Sequence, residues 1–121
     1  MAGGASYSTI SNSSYWSASS GQAVDFHVPL TVGDRVKSIV AYVEKTNGSG
    51  SMTLAFYVTN MVSGVSALSG SVSTSAAAAF YQPSVALSYT VVAGTIAKAV
   101  VSGSGGGTGK IFGVKVAYDR V

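Results

Sequence analysis

The chain has 121 residues, of which 7 are Lys or Arg and 4 are Asp or Glu, so 9% are charged while 47% are hydrophobic; an ordinary soluble domain is about 25% charged. Without cysteine and with one histidine, disulfide staples and Cys-ligated zinc or iron–sulfur centres are excluded. Four acids argue against a calcium cage, and the hydrophobic content does not suit intrinsic disorder. The net charge of +3 reflects scarce acids rather than abundant bases. Arg35, Lys37 and Lys45 lie near one another and the other bases are scattered late, so no nucleic-acid partner is expected. Two runs, residues 1–24 and 46–97, hold no charged residue or histidine. The most apolar window, 85–101, is broken by Ser88, Thr90, Gly94, Thr95 and Lys98. No membrane span is therefore expected. The first residues lack a basic and an apolar region, so no secretory signal is expected.

Strand-like alternation recurs along the chain, and long helical periodicity does not. Residues 1–21 read as a Gly/Ser-rich arm holding Ile10, Tyr15 and Trp16, and 22–121 as one β-sandwich domain. Val24, Phe26 and Val28 alternate with Ala23, Asp25 and His27 until Pro29 ends the strand. Residues 35–45 form the next strand. They are expected to pair with 51–59 as a hairpin through Thr46-Asn47-Gly48-Ser49-Gly50. In 51–59, Met52, Leu54, Phe56 and Val58 share the inward face. Residues 61–79 read as a loop with one short strand near 65–72, and Ala76 to Ala79 as at most a helical turn. Strands follow at 85–92, 95–102 and 110–119, the last with Phe112, Val114, Val116 and Tyr118 inward. The glycine-rich residues 102–109 read as a flexible hairpin turn. About seven or eight strands with regular turns predict an all-β fold: a two-sheet antiparallel β-sandwich of jelly-roll type with an extended N-terminal arm.

Two strands are apolar on both faces, a pattern of strands covered on both sides. Ile39, Ala41 and Val43 oppose Val36, Val40 and Tyr42, while Ala97, Ala99 and Val101 oppose Ile96 and Val100. The 61–79 loop, the arm or a neighbouring subunit would cover the second face. Ile39, Ala41, Val43, Ala97, Ala99 and Val101 are accordingly the candidate assembly face.

The chain offers little for catalysis. His27 and Asp25 share a strand face, but a second histidine and a Gly-x-Ser-x-Gly elbow are missing. Asp25, Asp34, Glu44 and Asp119 all have structural readings, Asp34 as a turn residue after Gly33. The run Gly103 to Gly109 lacks P-loop spacing and precedes a strand rather than a helix. No enzymatic activity, catalytic residue, metal or cofactor is expected. Tyr7, Tyr15, Trp16 and Tyr81 fall outside the inward rows, which makes them candidate glycan or interface contacts.

The stretches Val28-Pro29-Leu30-Thr31-Val32-Gly33-Asp34-Arg35 through Val43, Gly50-Ser51-Met52-Thr53-Leu54-Ala55-Phe56-Tyr57, Val85-Ala86-Leu87-Ser88-Tyr89-Thr90-Val91 and Gly113-Val114-Lys115-Val116-Ala117-Tyr118 carry a resemblance. Together, over about residues 22–121, they resemble small jelly-roll modules of tailed-phage virion proteins: tail fibres, spikes and capsid decoration proteins. The resemblance implies a non-enzymatic virion structural protein, a homo-oligomer (a trimer above other symmetries) with other virion proteins as partners, and in some cases binding to cell-surface glycans. It also implies a virion location after synthesis in the host cytoplasm. The alternatives carried forward are a carbohydrate-binding module recognising cell-surface glycans and a subunit of an extracellular β-filament.

Overall fold

The computed structural model describes residues 4–10 as backbone, and residues 15–28 and 30–120 with their side chains. The side chain of Tyr7 and the strand-ending role of Pro29 lie outside the described residues. The strands are β1 (Gly4–Ile10), β2 (Trp16–Ala18), β3 (Ala23–His27), β4 (Arg35–Lys45), β5 (Ser51–Asn60), β6 (Ser66–Ser73), β7 (Phe80–Tyr81), β8 (Ser84–Thr90), β9 (Thr95–Ser104) and β10 (Gly109–Asp119). No helix occurs among the described residues, so none is long and apolar enough to cross a membrane.

One sheet runs β1–β10–β4–β7, with β2 also on β10 and β8 also on β4; the other runs β3–β9–β5–β6. β2 pairs with the start of β10 and β1 with its remainder, so the two share one edge. β7 and β8 likewise share the far edge of β4. Each sheet is thus four strands wide. All these strand pairings are antiparallel. The orders β2–β10–β4–β8 and β3–β9–β5–β6 are the two sheets of a jelly roll.

The expected hairpin between 35–45 and 51–59 does not form. β4 pairs with β10, β7 and β8, whereas β5 pairs with β9 and β6. The connection 46–50 therefore crosses from one sheet to the other. Residues 105–108 make the corresponding crossing between β9 and β10. The two crossings pack on each other, so the glycine run is not a loose turn. Asn47 Nδ2 donates to the Gly106 carbonyl at 2.8 Å, and the Thr108 amide donates to Asn47 Oδ1 at 3.1 Å. Lys45, 1% exposed, anchors this end. Its Nζ donates to the Asn47 carbonyl, Asn47 Oδ1 and the Ser49 carbonyl at 3.0, 3.0 and 2.6 Å. An ammonium has three donors and no acceptor, and here three acceptors meet it. Ala76 to Ala79 form bends rather than a helical turn.

The core lies between the sheets. Val36, Ile39, Ala41 and Val43 of β4 and Ile111, Val114 and Val116 of β10 face Phe26, Met52, Leu54, Phe56, Ala97, Ala99 and Val101 of the other sheet. This corrects the candidate assembly face. Ile39, Ala41, Val43, Ala97, Ala99 and Val101 are all buried core residues, as is Val36 of the opposing row, because these rows face the other sheet and the β4 register shifts between Val36 and Ser38. The outward rows are the partly exposed Val40, Tyr42, Ile96 and Val100. Among the described residues neither the 61–79 segment nor the arm is seen to lie over them: β6 extends its own sheet, and β1 and β2 extend the other at its edge.

Candidate functional site: an aromatic face and an apolar end

A bulge in β10 creates the aromatic face. Ile111 pairs with Val43 and Gly113 with Tyr42, which leaves Phe112 without an opposite residue on β4. An extra residue shifts the side-chain alternation by one. Ile111 therefore points into the core while Phe112 is turned outward, correcting its expected inward place. On the other side of β10, Ile10 pairs with Gly113 and Trp16 with Ile111. Tyr15, which directly precedes Trp16, lies against Phe112.

Three rings follow one another across this face. Tyr15 and Phe112 lie 6.2 Å apart at 62°, and Phe112 and Phe80 lie 6.2 Å apart at 31°. Such offsets are favourable aromatic geometries. Phe80 is 72% exposed although it is large and apolar. Tyr42, Val43, Phe80, Tyr81, Gln82 and Phe112 line a shallow depression of about 350 Å³ beside the rings. Lys110 Nζ stands 4.8 Å from the centre of the Tyr15 ring, within cation–π reach.

The sequence candidates therefore separate. Tyr15 lies on the platform and Tyr81 lines the depression. The Tyr81 hydroxyl donates to the Ala77 carbonyl at 2.7 Å and lies 2.6 Å from Ser75 Oγ, tying down the 74–79 segment. Trp16 turns inward and packs edge-on against Phe26 at 5.0 Å, so it is unfit for stacking a ligand. Phe80, Phe112 and Tyr42 complete the face without having been singled out. Phe80 carried one signal, its place in an aromatic pair, Phe80-Tyr81, directly before Gln82-Pro83.

A second exposed surface closes one end of the sandwich. The Met61 amide donates to the Gly94 carbonyl at 2.8 Å, and the Gly33 amide to the Val91 carbonyl at 2.9 Å. These bonds bring the β3–β4, β5–β6 and β8–β9 connections together. Val32, Met61, Val65 and Val92 there are more than half exposed, and Val62 is 94% exposed. Asp34 is buried at this end, where its Oδ2 accepts the Thr31 amide at 3.1 Å.

Among the described residues the titratable groups make no reactive cluster. Asp25 binds Lys98 at 3.2 Å, while Asp119 binds Arg35 at 3.2 Å and Lys37 at 3.7 Å. Among the described residues, no three His, Cys, Asp or Glu side chains gather where a metal ion could be held.

No family model matches the chain, and no curated protein matches it in sequence. Solved structures share its fold. A protein of Bacillus endospore appendages, described as forming disulfide-linked pili, superposes with a TM-score of 0.54 at 14% identity. That match covers 100% of this chain and 92% of the other. The carbohydrate-binding module TmCBM61, solved with β-1,4-galactotriose, gives 0.50 at 17% identity, covering 92% and 80%. A capsid protein of infectious bursal disease virus, Gt strain, gives 0.49 at 13%, covering 98% and 38%. For the first two, at these identities, the likeness is one of fold: an all-β, two-sheet sandwich.

Proposed function

We propose that this chain is a non-enzymatic structural subunit of a virion or other extracellular assembly, of the capsid-decoration or tail-fibre kind, joined to neighbouring copies through the apolar end of the sandwich. The observation that carries this reading is the set of exposed aliphatic side chains on three adjoining connections, headed by Val62 at 94% exposure. Single exposed aliphatics are ordinary on a soluble protein, whereas a contiguous group marks a contact surface. Magnitudes explain why a group is needed. Fully burying one such side chain contributes about 1.5–3 kcal/mol. Association must offset about 4–15 kcal/mol of lost rigid-body freedom. One valine is too little, but Val32, Met61, Val62, Val65 and Val92 on each partner are enough. The non-enzymatic part of the reading is supported by three of the four acids, since Asp25, Asp34 and Asp119 are occupied in holding the fold. The pilus-forming neighbour lends the fold precedent, but its disulfide linkage has no counterpart in a chain without cysteine.

Light scattering after gel filtration tests this directly. The chain is expected to elute as an oligomer over a wide concentration range, and Val62→Asp to shift it towards monomer with unchanged circular dichroism. A wild-type monomer at every concentration would overturn the proposal.

A further inference from the structure

We infer that the aromatic face is a binding surface for an acidic oligosaccharide, a chain of pyranose units bearing carboxylates. A pyranose ring presents an apolar face of C–H groups and a rim of hydroxyls, so it needs aromatic faces interleaved with polar groups. The platform has both. Tyr15, Phe112 and Phe80 form a row in two steps of 6.2 Å. Beside it stand the Tyr42 hydroxyl, the Gln82 amide and the Glu44 carboxylate, none of which has a side-chain hydrogen bond or ion pair among the described residues. The core of a protein–protein contact is instead depleted of charge.

Charge selects the kind of sugar. Arg35 and Lys37 share Asp119, Lys98 pairs with Asp25, Arg120 lies over the Tyr118 ring, and Lys45 is buried in its loop cage. Lys110 and Lys115 have no carboxylate partner among the described residues. They bracket Phe112 on β10, and Lys110 is already held over the Tyr15 ring. Because of the bulge they stand opposite Glu44 and Val40, four steps apart on β4, roughly 13 Å at about 3.3 Å per residue, a span that suits a few sugar units. A carboxylate at either end would gain a charge-assisted hydrogen bond. Glu44, across from Lys110 in the sheet register, is an acceptor suited to a sugar hydroxyl.

An array carrying uronic-acid, sialylated and neutral oligosaccharides, followed by titration of the strongest binder, tests the inference. Acidic sugars are expected to bind, with neutral counterparts about tenfold weaker. Phe80→Ala, which removes an exposed ring and leaves the core intact, is expected to weaken binding about tenfold, and Lys110→Gln several-fold. Failure of every acidic sugar to bind would overturn the inference, as would equal binding of neutral sugars or indifference to both substitutions. Loss of self-association in Phe80→Ala without any sugar binding would do so too, by making the face a protein contact. Val62→Asp leaves this face untouched, so the assembly reading fails or survives independently.

Discussion

Gly109 is packed so closely that a β-carbon there would meet Met52 Sδ at 2.2 Å and the Glu44 carbonyl oxygen at 2.5 Å. Gly48, in the neighbouring crossing, would meet nothing within 4 Å. Gly109→Ala is therefore expected to cost about 1–3 kcal/mol in urea unfolding, the usual range for overpacking. Gly48→Ala should stay within about 0.5 kcal/mol of the parent. The two glycines look alike in sequence, because what separates them is the backbone of a segment some 60 residues away. The same holds for Lys45. A lysine ending a strand before Thr46-Asn47 reads as a solvated charge, yet the loop folds back and supplies its three acceptors. By contrast, the turn role of Asp34 was legible, because its partner Thr31 is three residues away.

Individual strands were legible because side-chain alternation is a local property. Residues 35–45 have the expected limits, and the inward row of β5 is the expected Met52, Leu54, Phe56, with Val58 packed behind it. Strand partners were not legible at the crossings. Turn chemistry such as Asn47-Gly48 permits a reversal without saying whether the chain stays in its sheet. β7 is too short at two residues to show any period. The Phe112 bulge depends on which residues lie opposite, so alternation alone put its ring on the wrong side and hid the aromatic face. Edges show how elements protect one another. β6 carries no charge, but its register with β5 shifts between Phe56 and Tyr57, interrupting the row of backbone groups that another strand would need. β10 is shielded by β1, which pairs with it from Gly4↔Asp119 to Ile10↔Gly113. Deleting residues 1–14 is expected to expose this edge and raise aggregation on mild heating, seen as increased turbidity and thioflavin binding. A truncated chain that stays clear would show that β1 is dispensable as a guard.

At the scale of the molecule, distant parts of the sequence are joined. β10 pairs with β4 from Gly109↔Lys45 to Asp119↔Arg35, and with β1 near the other end of the chain. Loop closure must precede the reward of such contacts, so sandwiches of this kind fold in milliseconds to seconds rather than microseconds. Stopped-flow refolding monitored by Trp16 fluorescence is expected to fall in that slower range. A microsecond phase carrying the full amplitude would contradict the topology. The few ion pairs are largely exposed and each contributes little. The paucity of charge therefore leaves stability to the core between the sheets.

The two ends of the sandwich are chemically unlike. One presents bare aliphatic side chains, and the other presents glycine-rich crossings knotted by hydrogen bonds around Lys45 and Asn47. A body of this sort has a direction, and the polar end gives the apolar end nothing to bury itself in. On the proposed reading, like ends meet like, and such pairing closes on itself. The outcome is a particle of finite size, whereas an unending thread would require head to fit tail.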